Sequence, residues 1–174
     1  IIREASSTPD PETPVAGELK NGGFETPAIA SSSSTKTRVG PFTSDWVFDS
    51  RSGIQGNGSV FAPVATAPEG TQTAYLKTDN GVNGTIQQQL TMAAGTYKLS
   101  FKAAKRTALG GTQTFDVYVD SQKIGTFAPT TGTYTAYTSN AFTVTAGQHT
   151  IRFAATSTTG DNTAFIDDVK LTAQ

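Results

Sequence analysis

Two adjacent carboxylates lie in the segment AFIDDVKL, residues 164–171, close to the end of the 174-residue chain. Phe165 and Ile166 favour a β-strand, whereas Asp is depleted in strands. Because side chains alternate between the two faces of a strand, Asp167 shares a face with Phe165 and Asp168 shares the other with Ile166. One carboxylate must therefore point towards the buried face. Burying it unpaired is costly, so the sequence predicts a neutralising partner.

The remaining residues offer little acid–base or nucleophilic chemistry. The chain has no cysteine and one histidine, His149, which begins a predicted strand and is expected at the surface. No Gly-x-Ser-x-Gly nucleophile elbow and no phosphate-binding loop occurs in the sequence. Acid pairs for glycoside hydrolysis can be drawn from Asp45, Asp49, Asp116 and Asp161, but their separation in space decides such a role. The sequence therefore predicts a protein that is not an enzyme.

Composition limits the partners that bulk charge could attract. The net charge is −1, and charged residues make up 16% of the chain. Such a balance favours neither nucleic acid nor an anionic membrane surface. No apolar run is long enough to span a bilayer, so membrane insertion is not expected. A length of 174 residues suffices for one domain with a sizeable core.

The first residues differ in composition from the rest. The segment IIREASSTPDPETPVAGE has three prolines and many small or acidic residues, and it can bury little apolar surface. We divide the chain into residues 1–16, an extended N-terminal arm or linker, and residues 17–174, one folded domain. The arm is either a flexible tether to another domain or, because it starts with Ile1 and Ile2, an arm that adds to the sheet of a neighbouring subunit.

The residues after the arm alternate between apolar and polar types, as half-buried strands do. Examples are YKLSFKAA (97–104), TFDVYVD (114–120) and HTIRFAA (149–155), with Gly-containing turns between such segments. These patterns predict an all-β fold, a two-sheet antiparallel β-sandwich of about eight to eleven strands. Residues 90–104 and 142–155 are similar, each with a strand, an Ala-Gly turn and a second strand, and they predict two similar hairpins.

Six segments occur in an order that resembles a known group of domains. They span residues 18–172 and read NGGFETP, DWVFDSRSGIQGNGS, EGTQTAYLK, AAGTYKLSFKAAKR, QTFDVYVD and GDNTAFIDDVKL. The set is similar to the galactose-binding-like jelly-roll domains of secreted bacterial and plant cell-wall proteins, which are relatives of carbohydrate-binding modules. The resemblance implies a jelly roll, a secreted or cell-surface location, and a polysaccharide or cell-surface glycan as the partner. A shared fold alone does not determine function.

The same resemblance implies a structural calcium ion at the Asp pair. In these domains an N-terminal N-G-x-F-E segment and a C-terminal D-D-V strand lie together and often share the ion. The matching residues here are Asn21, Glu25, Asp167 and Asp168. Calcium prefers oxygen ligands from carboxylates and main-chain carbonyls. The resemblance favours Asp168 as the ligand, with Asp167 bound to loop amides or exposed. The alternative is a pair of solvated acids at a strand end.

The resemblance also implies a glycan site, either in a groove on one sheet or at loops on the sandwich edge. Sugars need an aromatic platform and polar groups for their hydroxyls. The candidates are Trp46, Tyr75, Lys102, Arg106, Gln113, Tyr118 and Asn162. Asp161 and Asn162 precede the last strand and could orient Arg106. For each candidate the alternative is a solvated sheet face, and for Trp46 it is the core. The basic residues Lys102, Lys105 and Arg106 favour an acidic polysaccharide.

Two functions from different classes are consistent with the sequence. The first is a non-catalytic extracellular carbohydrate-binding module with a structural calcium ion. The second is a structural subunit of an extracellular filament or surface layer that assembles through residues 1–16. The arm distinguishes them, because a tether should stay disordered and an assembly arm should be ordered against a neighbouring chain.

Overall fold

The computed structural model describes residues 18–63, 65–108 and 110–174. Residues 1–16, which the sequence assigns to the arm, lie outside the described residues, so both interpretations of the arm stay predictions. Within the described ranges, no helix has the length and apolar character of a membrane span.

Fourteen strands build the described part of the chain: β1 (Thr37–Val39), β2 (Phe42–Thr43), β3 (Val47–Phe48), β4 (Ser52–Gly56), β5 (Gln72–Asp79), β6 (Val82–Asn83), β7 (Thr85–Met92), β8 (Gly95–Lys105), β9 (Phe115–Val119), β10 (Gln122–Phe127), β11 (Thr135–Thr138), β12 (Phe142–Val144), β13 (Gly147–Ala155) and β14 (Asp161–Ala173). The larger sheet has eight strands in the order β1-β4-β5-β14-β8-β11, with β6 beside β5 and β12 beside β8. The smaller sheet has six strands in the order β10-β9-β13-β7-β3-β2.

All the strand pairs are antiparallel, which confirms the predicted two-sheet β-sandwich. The number of strands exceeds the predicted eight to eleven. The excess comes from five strands of only two or three residues, which are too short to leave an alternating pattern in the sequence.

The core lies between the two sheets, where alternation places the apolar side chains. Along β8, Leu99, Phe101 and Ala103 point inward and are at most 2% exposed. Phe153 of the smaller sheet meets Phe101 with ring centroids 5.3 Å apart and an interplanar angle of 84°. Such edge-to-face contacts are a favoured geometry for aromatic pairs. The alternation predicted for residues 97–104 is therefore confirmed.

The two similar segments do not form the predicted hairpins. Each changes sheet at its Ala-Gly turn, because β7 and β13 belong to the smaller sheet whereas β8 and β12 belong to the larger one. The two units pair with each other instead. Phe142 of β12 lies opposite Tyr97 of β8, and Gly147 of β13 lies opposite Met92 of β7. A strand that leaves its sheet cannot pair with the preceding strand, so the hairpin prediction is wrong.

A β-bulge interrupts β14 at the Asp pair. The register with β8 shifts between Asp167 and Lys170, and Asp168 has a left-handed φ of 52°. Unbroken alternation would place Asp168 on the same face as Ile166, which packs in the core. The bulge instead brings Val169 into the core and leaves Asp168 partly buried. The predicted assignment of faces is wrong at this point, because one extra residue exchanges the two faces.

The N-terminal motif lies beside this bulge. The amide nitrogen of Val169 donates to the carbonyl of Gly22 at 2.9 Å. The indole nitrogen of Trp46 donates to the carbonyl of Asn21, also at 2.9 Å. Phe24 is fully buried in the core. The N-G-x-F-E and D-D-V segments therefore lie together, as the resemblance implies.

Candidate functional site

A groove of about 320 Å³ lies on the outer face of the larger sheet, the face turned away from the core. Residues two apart on a strand point to the same face of the sheet. The odd-numbered residues of the neighbouring strands β1, β4, β5 and β14 therefore lie together on this face. The strand residues that line it are Thr37, Val39, Gln55, Tyr75, Lys77 and Thr163. Strand ends and loops add Arg51, Phe61, Arg106 and Asp161. This volume is at the lower end of small-ligand pockets, about 300–1,000 Å³.

The floor of the groove is the ring of Tyr75, which lies across the neighbouring strand. Gly53 pairs with Tyr75, and a Cβ atom at Gly53 would lie 2.7 Å from Tyr75 Cε1 and Oη. Glycine therefore leaves the space that the ring occupies. Burial, aided by the charge of Asp49, raises the pKa of Tyr75 to about 12. The phenol keeps its proton at neutral pH and can donate a hydrogen bond to a ligand oxygen.

Arg106 and Phe61 form one wall of the groove. The amide nitrogen of Arg106 donates to the carbonyl of Thr163 at 3.2 Å, which joins the end of β8 to β14. The Arg106 guanidinium carbon lies 5.4 Å from the Phe61 ring centroid, and this arginine side chain is only 10% exposed. The Phe61 residue is 40% exposed. The wall thus presents an accessible aromatic ring beside a cation that is held in place.

The ion pairs along the groove are long. Arg51 Nη2 lies 3.7 Å from Asp79 Oδ2, and Lys77 Nζ lies 3.4 Å from Asp161 Oδ1. Arg106 Nη1 lies 3.6 Å from the second Asp161 oxygen. A well-formed charged hydrogen bond is about 2.7–2.9 Å long, so none of these cations is fully satisfied.

Four buried polar atoms in the groove have no hydrogen-bond partner among the described residues. They are Arg51 Nε, Gln55 Oε1, Arg106 Nε and Asp161 Oδ1. Buried polar atoms in native proteins are nearly always paired with protein, water or a ligand. Two donors and two acceptors are therefore left for a polar ligand next to the rings of Phe61 and Tyr75.

The structure brings two of the seven predicted glycan residues, Tyr75 and Arg106, into this groove. The expected pairing of Arg106 with Asp161 is present. Tyr118 lies instead on the outer face of the smaller sheet, where the Arg152 guanidinium carbon is 4.7 Å from its ring centroid. The prediction that Tyr118 and Arg106 share one surface is wrong, because β9 and β8 belong to different sheets.

The other four predicted glycan residues make contacts within the fold. Lys102 pairs with Asp168 at 3.3 Å. Gln113 is fully buried and donates to the carbonyl of its neighbour at 2.7 Å. Asn162 accepts a loop amide at 2.6 Å. Trp46 is 0% exposed, so its prediction as a platform is wrong and its alternative placement in the core is the observed one.

Most residues of the groove were not predicted from the sequence, among them Phe61, Arg51, Gln55 and Lys77. The segments that hold these residues show no local pattern that distinguishes a binding site from an ordinary strand or loop. Only the strand order β1-β4-β5-β14 places these residues next to the end of β8. That order depends on contacts between distant parts of the chain, and local periodicity carries no such signal.

A second group of residues surrounds the turn before β5, beside the bulge. Asp167 is fully buried and accepts the amide of Glu69 at 3.0 Å and that of its own neighbour at 2.8 Å. Glu25 accepts the amides of Thr71 at 2.8 Å and Gln72 at 2.7 Å. We call this group the acidic corner, defined by Glu25, Glu69 and Asp167. Contact with loop amides is one of the two placements expected for Asp167.

The two adjacent aspartates differ in electrostatic environment. Burial raises the pKa of Asp167 to about 7. The two amide hydrogen bonds act to lower this pKa, and the negative charges of Glu69 and Asp168 act to raise it further. Partial burial also opposes ionisation of Asp168, but hydrogen bonds from Lys170 at 2.8 Å and Lys102 at 3.3 Å outweigh it and lower its pKa. Asp168 is thus already neutralised by two lysines, whereas Asp167 forms no ion pair with the described residues.

Side chains alone do not complete a metal site at this corner. Within the described ranges, no group of three or more His, Asp or Glu side chains is placed to hold a metal ion. Asn21, a predicted ligand, donates from its side-chain amide to the carbonyl of Thr26 and accepts that residue's amide at 3.1 Å. A calcium ion would need main-chain carbonyls in addition to the carboxylates of Glu25 and Asp167.

His149 lies away from both groups, bound on each side of its ring by an acceptor. Its Nδ1 lies 2.7 Å from Asp120 Oδ2, and its Nε2 lies 2.8 Å from the carbonyl of Thr145. Both contacts are best satisfied when the ring carries two protons. The hydrogen bond to Asp120, followed by that to Thr145, accordingly raises the pKa of His149 above its usual value.

We expect His149 to stabilise the fold in its charged form. Its contribution should be complete below the ordinary histidine pKa of about 6.5 and be lost as pH rises through the raised folded-state value. His149→Gln should lower the melting temperature near pH 5.5 by about 2–4 °C, for a net loss of roughly 1 kcal/mol. Thermal melts between about pH 5 and pH 8.5 test this. Parallel pH profiles for parent and variant would contradict it.

No protein-family model and no curated protein sequence matches the chain. Among solved structures it is similar to a family 61 carbohydrate-binding module in complex with β-1,4-galactotriose. The identity is 19% and the TM-score 0.61, over 91% of this chain and 99% of the module. It is also similar to the family 22 xylan-binding domain of Xyn10C from Paenibacillus barcinonensis, with 9% identity and a TM-score of 0.54, over 91% and 92% of the two chains.

A third similar structure is the family 36 carbohydrate-binding domain of a multidomain xylanase from the hindgut metagenome of Trinervitermes trinervoides. Here the identity is 19% and the TM-score 0.51, over 63% of this chain and 85% of that domain. Identities this low establish the fold. The chain therefore has the jelly-roll β-sandwich fold of carbohydrate-binding modules, and the resemblance stated from the sequence is confirmed at that level.

Proposed function

We propose that this domain is a non-catalytic, extracellular carbohydrate-binding module that holds a polysaccharide in the groove floored by Tyr75. The observation that carries the proposal is a set of buried polar atoms in this groove that lack hydrogen-bond partners among the described residues. They belong to Arg51, Gln55, Arg106 and Asp161 and lie in the same groove as the ring of Phe61. Sugars combine hydroxyls with apolar C–H faces, which fit such a mixture. Domains of the same fold that bind galactotriose or xylan support this ligand class.

The charges in the groove support binding rather than hydrolysis. Asp161 is the one carboxylate among the described residues that line the groove, and it is paired with Lys77 and Arg106. Glycoside hydrolysis generally needs two carboxyl groups on either side of the scissile bond. His149 is engaged elsewhere by Asp120 and is no candidate base for this groove.

We further propose that the acidic corner holds a structural calcium ion. The fully buried Asp167 carboxylate forms no ion pair with the described residues, and Glu25 binds the same turn, so hard oxygen donors of suitable charge are present. The ion would neutralise Asp167 and join the N-terminal motif to β14. The resemblance to secreted domains supports an extracellular location.

The proposal is tested by measuring binding to a panel of soluble polysaccharides with isothermal titration and affinity electrophoresis. We expect at least one glycan to bind, with Phe61→Ala weakening it about five- to thirtyfold through the loss of exposed aromatic contact. Tyr118→Ala is the matched control, because it removes a partly exposed ring from the other sheet and should bind like the parent. Both variants should melt within a few degrees of the parent.

Three results would decide against this site or this function. A loss of binding in Tyr118→Ala with none in Phe61→Ala would move the site to the smaller sheet. If both variants bind like the parent, neither the ring of Phe61 nor that of Tyr118 contacts the glycan. No binding by the parent to any glycan of the panel would contradict the carbohydrate proposal itself.

A further inference from the structure

The groove has more positive than negative charge. Arg51, Lys77 and Arg106 line it, whereas Asp161 is the one carboxylate among its described lining residues. Asp161 is shared between Lys77 and Arg106. The partner of Arg51 is Asp79, which does not line the groove and lies 3.7 Å away. A neutral ligand would cover part of this groove without balancing its excess positive charge. Removing unbalanced charge from water is energetically unfavourable.

Arg106 is the most buried of these cations, and its guanidinium is only partly used. Asp161 contacts Nη1 at 3.6 Å, while Nε is buried and has no hydrogen-bond partner among the described residues. A guanidinium presents its N–H groups in a planar fork that matches a carboxylate, which can accept two of them at once. A sugar hydroxyl is uncharged and meets this fork with a single oxygen. The donors left over in Arg106 therefore fit an anion better than a hydroxyl.

The geometry around Arg106 keeps this fork in place before a ligand arrives. Its amide is bonded to Thr163, its guanidinium lies over Phe61, and its side chain is 10% exposed. A cation that is already ordered loses little conformational freedom on binding, so more of the interaction appears as affinity. Lys77, 29% exposed, and Arg51, 33% exposed, are more accessible and add long-range attraction.

We propose that the groove selects a polysaccharide that carries carboxylates, a uronic acid polymer, and that a sugar carboxylate pairs with the guanidinium of Arg106. The inference rests on the proposed function, since it names the ligand class of the same groove. Arg51 contributes the second unsatisfied guanidinium, and Phe61 contacts the apolar face of the sugar. A sulfate ester offers a similar charge without the planar carboxylate, and the experiment separates the two sources.

The test uses three polymers: polygalacturonate, the same polymer after reduction of its carboxyl groups to primary alcohols, and a sulfated galactan without carboxylates. We expect the parent to bind polygalacturonate about tenfold or more tightly than the reduced polymer, as charge-assisted hydrogen bonds allow. The affinity for polygalacturonate should fall as salt rises from about 50 mM to about 500 mM, because the exposed charges become screened. The affinity for the reduced polymer should change little with salt.

The variants assign the effect to Arg106. Arg106→Gln should lower the affinity for polygalacturonate about tenfold and leave that for the reduced polymer within about twofold. Arg106→Lys keeps the charge without the fork and should give an intermediate value. Arg152→Gln is the matched control, because it removes an arginine that also lies over an aromatic ring, on the other sheet. Thermal melts establish which variants fold, and Arg51→Gln replaces Arg106→Gln if the latter does not.

The failure of this inference differs from the failure of the proposed function. Equal binding of polygalacturonate and its reduced form by the parent would overturn carboxylate selection and leave carbohydrate binding intact. Tighter binding of the sulfated galactan would overturn the choice of a carboxylate. An equal loss for both galacturonate-derived polymers in Arg106→Gln would show that Arg106 only shapes the groove. Binding of none of the polymers, nor of any neutral glycan, would contradict the proposed function.

Discussion

In the presence of a chelator, the stability of this protein should fall as pH rises from about 4 to about 7, because Asp167 is buried without a cation. Burial is the main cause that raises the pKa of Asp167 to about 7 in the folded protein. In the unfolded chain an aspartate has a pKa of about 3.9. Between the two values the folded state keeps a proton that the unfolded state has lost, so raising the pH favours unfolding. The loss is on the order of 4 kcal/mol.

Asp167→Asn should remove this pH dependence, because an amide does not ionise. The variant keeps an oxygen for the Glu69 amide but loses an acceptor for the Asp168 amide, at a cost of about 1–3 kcal/mol. We expect it to be less stable than the parent near pH 4 and more stable near pH 8. Urea unfolding across this range measures both. Making the measurements in a His149→Gln variant removes the titration of His149, which overlaps with that of Asp167. Carboxylates with lowered pKa values, such as Asp116, affect the stability only at lower pH.

Calcium should reverse the loss by neutralising ionised Asp167. At pH 8 a hundredfold excess of calcium over its dissociation constant should add about 2.7 kcal/mol to the stability of the parent. Asp167→Asn should gain little. Glu25→Gln should also respond weakly to calcium yet keep the pH dependence in chelator, which separates ion binding from the burial of Asp167. A parent that loses stability with pH but ignores calcium would refute the ion. A parent whose stability in chelator does not fall with pH would refute the electrostatic account of Asp167.

The fold was predictable to the extent that it depends on local alternation. The inward residues of β8, β9 and β13 follow from a period of two, and that period is imposed by backbone geometry alone. The sheet changes at the two Ala-Gly turns were not predictable in this way. A turn between similar strands can close a hairpin or carry the chain across the sandwich, and the choice is made by pairing partners elsewhere in the chain.

The candidate site was less predictable than the fold. Arg106 and Tyr75 were identified as candidates, but the sequence grouped Arg106 with Tyr118, because β8 and β9 are near each other in the chain. Phe61, in a loop without periodicity, was missed. At the Asp pair the bulge exchanged the two faces, so the carboxylate that resemblance favoured as a ligand, Asp168, is the one that lysines already neutralise. Strand order and bulges are set by tertiary contacts, and these place the functional side chains.

The second large effect concerns Trp46, which the sequence allowed either as a sugar platform or as a core residue. Its ring lies 5.2 Å from Phe24 and 6.1 Å from Phe153, between centroids, and it is fully buried. Trp46→Ala should therefore cost about 3–5 kcal/mol of stability through lost contacts and a cavity. Unfolding in urea should be followed by circular dichroism, because Trp46 is the only tryptophan and its removal abolishes the tryptophan fluorescence.

Trp46→Phe provides the sharper test, because it keeps most of the packing and removes the indole N–H. The carbonyl of Asn21 then loses its hydrogen-bond donor at 2.9 Å, so we expect the free energy of unfolding to fall by about 1–3 kcal/mol. The response to calcium should also weaken, because Asn21 lies in the same N-terminal segment as Glu25 of the acidic corner. Affinity for the glycan should be unchanged, because the groove lies on the outer face of the larger sheet and Trp46 lies between the sheets. A variant with parent-like stability and impaired glycan binding would show that Trp46 contacts the sugar after all, and it would displace Phe61 and Tyr75 as the aromatic residues of the site.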